Sequence, residues 1–322
     1  MNNILTRSGK ISVMFVCVLL LAVSASAQTS LRKALDYDGD GKADFSVFRP
    51  SNNFWYISKT GGGFTFQQFG TSADDYPAPG DFDGDGKSDI SVFRDSTGTW
   101  YRINSSNSTF TGVAFGASGD EPVARDYDGD GKTDLAVARR SNGVITWYVL
   151  KSSTGTLAAA QFGATNDYTA PGDYDGDGKF DFAVQRPGAN PIDQGIFYIL
   201  KSSDGTLLSI PWGRSDDLVV PGDYDGDGKT DVAVVREGAT GDAALSWYIR
   251  RSSDGGTQAA QFGSTATDLT VQADYDGDGK TDIAVWRDTT GTYYILKSST
   301  NTLQSAVWGL SNDYPIASYD TH

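Results

Sequence analysis

The sequence has almost none of the residues used for thiol or imidazole chemistry. Its 322 residues include one cysteine, Cys17, and one histidine, His322. A catalytic Cys–His or Ser–His pair is therefore disfavoured, because the chain supplies only one cysteine and one histidine for it. A disulfide within the chain is excluded because it needs two cysteines. A domain of this size can bury an adequate core without disulfides, and bound metal ions can stabilise the fold in their place.

Long apolar runs are also scarce, and the single candidate lies at the N-terminus. Arg7 and Lys10 precede an apolar run over Ile11–Val23, and the small residues Ala25-Ser26-Ala27 follow it. The run is too short for a membrane span of about 20 residues. This pattern predicts that residues 1–27 are a removable signal peptide and that the mature chain is secreted or displayed at the cell surface without a membrane span. An uncleaved membrane anchor is the alternative.

No segment shows a sustained 3.6-residue period, which argues against long amphipathic helices. Instead, an acidic stretch of nine residues occurs six times, and the successive starts are separated by 45, 45, 47, 50 and 51 residues. The copies are DYDGDGKAD (36–44), DFDGDGKSD (81–89), DYDGDGKTD (126–134), DYDGDGKFD (173–181), DYDGDGKTD (223–231) and DYDGDGKTD (274–282).

The same series of short segments follows each acidic stretch. It comprises an alternating run such as DISVFR, an aromatic pair such as Trp100-Tyr101, an aromatic–glycine pair such as Phe115-Gly116, and a run such as YPAPGD that leads into the next acidic stretch. Short runs of β-branched and aromatic residues between Gly, Asn, Ser and Asp are typical of strands. Four strands in each repeat of this length predict an all-β fold, a β-propeller of six four-stranded blades that occupies residues 28–322 as a single domain.

The two ends of the chain suggest how the ring closes. After the sixth repeat the sequence adds NDYPIASYDTH, which begins like another first strand but places Tyr319 where the first aspartate of a loop belongs. The first strand of the N-terminal blade, LRKALD, is poorly apolar. We therefore expect the stretch 314–319 to complete the N-terminal blade, because a seventh blade would need three more strands.

The acidic stretches have the composition of a cation-binding loop. Aspartate occupies positions 1, 3, 5 and 9 of every copy, glycine occupies position 6 and lysine occupies position 7. Calcium takes about six to eight oxygen ligands, a glycine permits a sharp turn, and the lysine can offer its backbone carbonyl. The sequence therefore predicts up to six Ca²⁺ ions. The predicted ligands are Asp36, Asp38, Asp40, Lys42 and Asp44; Asp81, Asp83, Asp85, Lys87 and Asp89; Asp126, Asp128, Asp130, Lys132 and Asp134; Asp173, Asp175, Asp177, Lys179 and Asp181; Asp223, Asp225, Asp227, Lys229 and Asp231; and Asp274, Asp276, Asp278, Lys280 and Asp282.

Two other interpretations of these stretches are weaker. An EF-hand needs glutamate at position 12, where this chain has Val47, Val92, Val137, Val184, Val234 and Val285. Solvated acidic turns are possible, since Asp and Gly are ordinary turn residues. However, like charges about 5 Å apart repel by roughly 1 to 3 kcal/mol per pair. Six copies with the same four positions filled therefore favour metal sites.

The repeat resembles the FG-GAP (VCBS-type) repeat of integrin α-subunits and of many exported bacterial proteins. The resemblance rests on the DxDxDGxxD loop and covers nearly all of residues 31–322. It implies a calcium-bearing propeller in which the calcium loop joins the first two strands of each blade. This chain differs from integrins in having six blades rather than seven and six full loops rather than three or four, so an integrin ligand site does not transfer.

Several functions are compatible with an exported propeller. The favoured hypothesis is a monomeric binding or adhesion module that presents loops from one face to an extracellular protein or glycan. An enzyme acting on extracellular polysaccharide is the alternative, because calcium propellers resembling this one occur in some polysaccharide lyases. A lectin that uses the aromatic pairs is a third possibility, although one member of each pair should fill the space between blades. Nucleic acid is disfavoured by a net charge of −15.

Acidic residues outside the loops help to choose among these functions, because catalysis needs acids that break the repeat. Those that recur six residues before a loop predict turn capping rather than catalysis: Asp75, Asp120, Asp167, Asp217 and Asp268. The irregular acids Asp193, Glu237 and Asp242 lie in the longer connections of blades four and five. Insertions in repeat proteins usually map to one face. These connections are therefore the predicted place for a partner site, with tolerated loop length as the alternative.

Overall fold

The computed structural model describes residues 35–316, which form six four-stranded antiparallel sheets. The predicted all-β propeller of six blades is therefore confirmed. The predicted signal peptide and the last six residues lie outside the described range. Within that range, no helix is long and apolar enough to cross a membrane.

Each sheet is one blade, and its strands are called A to D in sheet order. Blade 1 contains β1 (Phe45–Arg49), β2 (Phe54–Ser58) and β3 (Phe64–Gln68) as strands B to D. Blade 2 contains β4 (Asp75–Pro77), β5 (Ile90–Arg94), β6 (Thr99–Ile103) and β7 (Phe110–Ala114). Blade 3 contains β8 (Glu121–Pro122), β9 (Leu135–Ser141), β10 (Val144–Leu150) and β11 (Leu157–Ala164).

The other three blades follow the same order. Blade 4 contains β12 (Tyr168–Thr169), β13 (Phe182–Arg186), β14 (Gln194–Leu200) and β15 (Leu207–Arg214). Blade 5 contains β16 (Leu218–Val219), β17 (Val232–Arg236), β18 (Ala244–Arg250) and β19 (Thr257–Ser264). Blade 6 contains β20 (Asp268–Thr270), β21 (Ile283–Arg287), β22 (Thr292–Leu296) and β23 (Leu303–Val307). Short 3-10 helices join strands B and C in two blades, over Asp95–Thr97 and Asp288–Thr290.

Blade 1 is completed by both ends of the described chain. Strand β24 (Tyr314–Pro315) pairs antiparallel with β1, and Pro315 lies opposite Val47. Farther along the same edge, the Leu35 carbonyl accepts a hydrogen bond of 2.9 Å from the Asp44 N–H. The predicted closure of the ring by the C-terminal strand is therefore confirmed for the described part of that strand.

Burial falls from the middle of each blade to the rim. Strand B is buried on both faces, strand C alternates, and strand D is largely exposed. The apolar core lies between neighbouring blades, where for example Trp147 of blade 3 packs with Val184 of blade 4. The indole N–H of Trp147 donates to the Phe162 carbonyl at 2.9 Å. The first residue of each aromatic pair is thus core, as expected.

The glycine of each aromatic–glycine pair is required by this packing. Gly213 has a φ of +73°, and a Cβ there would lie 2.9 Å from a methyl carbon of Val234 in the next blade. A side chain would therefore be strained by the backbone conformation and would also push adjacent blades apart. This explains why the pair recurs once in every repeat.

The propeller has two chemically different faces. The acidic loops and the C–D turns lie on one face, here called the loop face. The B–C and D–A connections lie on the other, here called the opposite face, because successive antiparallel strands reverse direction. The long connections 187–193 and 237–243 are B–C connections and therefore belong to the opposite face.

Candidate metal centres

The aspartate at position 1 organises the first half of each acidic loop. In the first loop, Asp36 Oδ1 accepts the Gly39 N–H at 2.6 Å and Oδ2 accepts the Gly41 N–H at 2.8 Å. Both glycines have positive φ, +81° and +83°, which other residues rarely adopt. The glycines thus let the backbone wrap around the carboxylate. The same bonds recur in the other five loops.

The aspartate at position 9 ties the loop to the rest of its blade. Asp44 Oδ2 accepts the Tyr37 N–H at 2.8 Å, while Oδ1 accepts the Thr60 N–H at 2.7 Å. Thr60 lies in the C–D turn, so this carboxylate links two segments of the loop face. Since Asp44 comes directly before β1, the link also fixes where strand B begins.

The C–D turns contribute hydroxyl groups that sequence reasoning missed. In blade 4, Ser202 Oγ donates to Asp177 at 2.9 Å and Ser203 Oγ donates to Asp175 at 2.6 Å. Serine pairs occupy this place in five blades, whereas blade 1 has Thr60-Gly61. The sequence pattern that could have revealed these hydroxyl groups is a serine pair that recurs after strand C: Ser105-Ser106, Ser152-Ser153, Ser202-Ser203, Ser252-Ser253 and Ser298-Ser299.

The loops bring their carboxylates close enough together to hold a metal ion. In at least five loops, three aspartates each offer an oxygen, and the three oxygens lie within 4.8 Å of one another. These groups are Asp36, Asp38 and Asp40; Asp81, Asp83 and Asp85; Asp126, Asp128 and Asp134; Asp173, Asp175 and Asp181; and Asp223, Asp225 and Asp231.

The aspartates at positions 1 and 9 are buried, which makes ionisation of their carboxyl groups energetically unfavourable. Burial, with a smaller contribution from neighbouring loop aspartates, raises the pKa of Asp44 to about 6 and that of Asp173 to about 7. Backbone N–H groups only partly offset this effect. A bound cation would favour the ionised carboxylates and relieve their repulsion.

The donor set fits a hard dication. All the donors are oxygens, and histidine and cysteine do not contribute. Asp44 Oδ2 accepts one backbone N–H and retains a second lone pair for a ligand bond, whereas Oδ1 accepts both the N–H and the hydroxyl of Thr60. Carboxylates held by backbone N–H groups are also pre-oriented, so little side-chain entropy would be lost on binding. Hard dications such as calcium prefer such an all-oxygen shell.

The six loops form one hydrogen-bonded circle. The Ser88 N–H of the second loop donates to the Asp36 carbonyl of the first at 2.7 Å, and the Ala43 N–H of the first donates to the Asp274 carbonyl of the sixth at 2.8 Å. Every loop is therefore bonded through its backbone to both neighbours. The remaining four bonds run from Thr133 to Asp81, from Phe180 to Asp126, from Thr230 to Asp173 and from Thr281 to Asp223.

The loop lysines reinforce this circle through their aliphatic carbons. A Cβ on Gly84 would come within 2.7 Å of Lys132 Cε, so the lysine stem of one loop lies against the position-4 glycine of the preceding loop. Long side chains of this kind can pack their carbons while the charged end reaches water. The same contact joins Lys42 of the first loop to Gly277 of the sixth.

A second repeated cluster lies toward the opposite face. The Asp217 side chain is fully buried, and the Arg236 guanidinium donates to its two oxygens at 2.8 and 2.9 Å. Asp217 Oδ2 also accepts the Arg214 N–H at 2.7 Å, which confirms the predicted turn capping. This carboxylate raises the pKa of Arg236 above its ordinary value. Arg236 also lies 4.8 Å from the centre of the Tyr248 ring.

This Asp–Arg–Tyr cluster occurs once in every blade. Sequence reasoning found five of the aspartates but missed the sixth, Asp313, and missed the arginine of every strand B, which is the last residue of that strand in all blades except blade 3. The second residue of the aromatic pair lies beneath that arginine. The ion pairs are Asp75–Arg94, Asp120–Arg139, Asp167–Arg186, Asp217–Arg236, Asp268–Arg287 and Asp313–Arg49.

The irregular acids are not gathered into a catalytic pair by any contact that the described residues make. Asp193 caps its own turn, because its Oδ2 accepts the backbone N–H of Asn190 at 2.8 Å and its side-chain amide at 3.0 Å. Glu237 and Asp242 lie in the corresponding connection of the next blade. These acids are therefore best explained by loop structure.

A comparison with known protein families supports the repeat found in the sequence. A model described as the FG-GAP-like repeat matches residues 36–92, 126–184 and 223–285, together more than half of the chain. Each match starts at the first aspartate of one loop and ends at the position-12 valine of the next. The chain belongs to the FG-GAP-like repeat family.

Solved structures resemble this FG-GAP-like propeller in fold. A triple arginine-to-alanine mutant of AofleA from Arthrobotrys oligospora matches with a TM-score of 0.51 at 10% identity, over 88% of this chain and 90% of that one. A catalytically inactive virginiamycin B lyase from Staphylococcus aureus with quinupristin matches with a TM-score of 0.46 at 10% identity, over 88% and 87% of the two chains. None of the curated proteins matches the chain.

Proposed function

We propose that this FG-GAP-like propeller is an exported, calcium-stabilised binding module whose partner docks on the opposite face. The observation that supports the proposal is that the two faces carry different features. Six carboxylate loops are bonded into a circle on one face. The other face carries the unequal connections and the mouth of a central cavity.

Calcium is the metal that best suits the six loops. In each loop the aspartates at positions 1, 3, 5 and 9 and the backbone carbonyl of the lysine would supply oxygen ligands. Calcium tolerates the irregular shells that such loops provide, whereas magnesium demands near-ideal octahedral geometry and keeps its waters. A bound ion would neutralise aspartates that burial and mutual repulsion otherwise penalise.

Export would place the protein where weak calcium sites are occupied. Extracellular calcium modules have dissociation constants of about 10⁻⁴ to 10⁻³ M. The export pattern over residues 1–27 and the shortage of cysteine are both consistent with a secreted protein stabilised by metal rather than by disulfides.

Partner binding by the opposite face fits the structure better than a lectin that uses the aromatic pairs or an enzyme that uses the recurrent acids. The aromatic pairs do not support a lectin, because their first members are buried and their second members lie beneath arginines. The recurrent acids offer no general base, since each is held by an arginine. A glycan or protein ligand bound by the connections needs no such chemistry.

A direct test is a glycan array and a pull-down from the native surroundings, each run in calcium and in chelator. We expect retention of a partner in calcium and its loss in chelator. Calcium-independent retention would contradict the proposed role of the loops. Turnover of a polysaccharide by the purified protein would overturn the binding-module proposal in favour of an enzyme.

Substituting one loop aspartate should remove one ion. We expect Asp85→Ala to lower the calcium stoichiometry by one in isothermal titration calorimetry and to lower the melting temperature by about 2 to 4 °C for each kcal/mol lost. The ring should stay folded because five other loops remain. Glu237→Ala, which removes an exposed acid outside the loops, is the charge-matched control and should leave the stoichiometry unchanged.

A further inference from the structure

The propeller axis contains a cavity with a volume of 1120 Å³. This is slightly above the range of about 300 to 1,000 Å³ typical of small-molecule sites. Ser72, Asp95 and Asn166, which lie in the B–C and D–A connections, also line the cavity. The cavity therefore opens on the opposite face, away from the acidic loops.

The residues that face the axis occupy one fixed position in the repeat. Each follows the buried aspartate of the Asp–Arg–Tyr cluster. Because successive side chains of a strand point in opposite directions, burying that aspartate against its arginine turns the next side chain toward the axis. We call these six the channel residues, and five of them line the cavity. They are Tyr76, Glu121, Tyr168, Leu218, Leu269 and Tyr314.

The channel residues break a repeat that is otherwise nearly uniform. Tyr76, Tyr168 and Tyr314 are 42, 41 and 53% exposed, respectively. Blades 5 and 6 show that leucine satisfies the fold at the same position, so packing alone does not require tyrosine. Aromatic side chains that converge on a cavity beside a few polar groups are the typical lining of a small-molecule site.

One ion pair among these tyrosines does not recur in the other blades of the described chain. Glu121 Oε2 accepts a hydrogen bond of 2.7 Å from Arg140 Nη2, and Glu121 Oε1 accepts one from the Thr169 hydroxyl. Arg140 Nη1 donates to the carbonyls of Thr165 and Asp167 at 2.9 and 2.6 Å. Both side chains remain partly exposed, 27% for Glu121 and 30% for Arg140.

The charge balance of the cavity points to an uncharged polar ligand. Glu121 and Arg140 neutralise each other, and the nearby aspartates of the repeated clusters are held by arginines. The Asp95 carboxylate, which also lines the cavity, accepts the Gly119 N–H at 2.7 Å and the Ser118 hydroxyl at 3.1 Å. A polyanion would find no unpaired cation among these groups and would meet the Asp95 carboxylate. An organic cation would have to compete with the donors that already bind Glu121 and Asp95. Flat aromatic faces beside fixed hydrogen-bonding groups instead suit the C–H faces and hydroxyls of a sugar.

We propose that the central cavity is a binding site for a neutral saccharide, in which Tyr76 and Tyr168 stack on the sugar and the Glu121–Arg140 pair bonds its hydroxyls. This inference rests on the proposed function, since it names the ligand class of the same face. Tyr76 and Tyr168 flank Glu121 because their blades flank blade 3.

The test is calorimetric titration of the purified protein, in calcium, with neutral di- and trisaccharides of glucose, galactose and mannose and with their uronic-acid counterparts. We expect a neutral saccharide to bind, and Tyr76→Ala and Tyr168→Ala each to weaken binding by about tenfold. Glu121→Gln should also weaken binding. Phe110→Ala, which removes an exposed aromatic ring on the outer strand of blade 2, should have no effect.

Melting temperature and calcium stoichiometry check that each variant is folded. The inference is overturned if no neutral saccharide binds, if only uronic acids bind, or if binding survives both tyrosine substitutions in folded protein. In the last case calcium-dependent glycan retention would still support the proposed function. If the array and the pull-down retain nothing, the proposed function itself fails.

Discussion

Chelating calcium should lower the melting temperature of the purified protein by about 5 to 20 °C. At roughly millimolar calcium, a site with a dissociation constant of about 10⁻⁴ to 10⁻³ M contributes about 0.4 to 1.4 kcal/mol by mass action. Six sites would then contribute about 2.5 to 8 kcal/mol, which is comparable with a typical total stability of about 5 to 15 kcal/mol. The buried aspartates left without a cation add to the loss.

The measurement is a set of melting curves in calcium, in chelator and in chelator with excess magnesium. Magnesium should rescue poorly because it demands a tighter octahedral shell, whereas re-added calcium should restore the first curve. Coincidence of the three curves would mean that the loops are not structural calcium sites.

Removing one arginine of the Asp–Arg–Tyr clusters should have the second largest effect. We expect Arg236→Met to destabilise the protein by about 3 to 5 kcal/mol in urea unfolding, because it leaves a buried carboxylate without its cation. The Asp217 side chain has no exposed surface, and within the turn it also accepts the Arg214 N–H. The arginine also loses its contact with the Tyr248 ring.

A matched control is available in the same blade. Arg251 pairs with Asp254 at 2.8 Å, but Asp254 is 56% exposed, so Arg251→Met should have little effect on the stability. A double variant, Arg236→Met with Asp217→Leu, should recover part of the lost stability since it leaves no buried charge. Equal costs for Arg236→Met and Arg251→Met would contradict the structural role of the buried pair.

The features that sequence could predict are those that repeat locally. Regular spacing of the acidic loops predicted six blades, and valine at position 12 predicted that strand B follows each loop. The leftover NDYP segment predicted the closure of blade 1. In each case the residues that carry the signal are close together in the chain, so pattern and periodicity were sufficient.

The features that sequence missed depend on which strands become neighbours. Asp217 and Arg236 meet only because strands A and B pair across the intervening loop. The serines of the C–D turns meet the loop aspartates because both connections fall on one face. Glu121 and Arg140 each depart from the repeat, but their pairing becomes apparent only once the register of blade 3 is known.

The circle of loops also changes how the sites should behave. In a propeller whose blades shared only packing interfaces, each metal site would act independently. The backbone bond from Thr133 to Asp81, like its five equivalents, links the position-1 residue of one site to the next loop. A change in one loop can therefore reach its neighbours through the backbone.

The number of calcium ions held by one chain tests the central claim most directly. Native mass spectrometry of the purified protein, after equilibration with millimolar calcium, should show six bound ions and five for Asp85→Ala. Six loops with aspartate at the same four positions are all expected to be filled at that concentration. A chain that carries no calcium under these conditions would contradict the account.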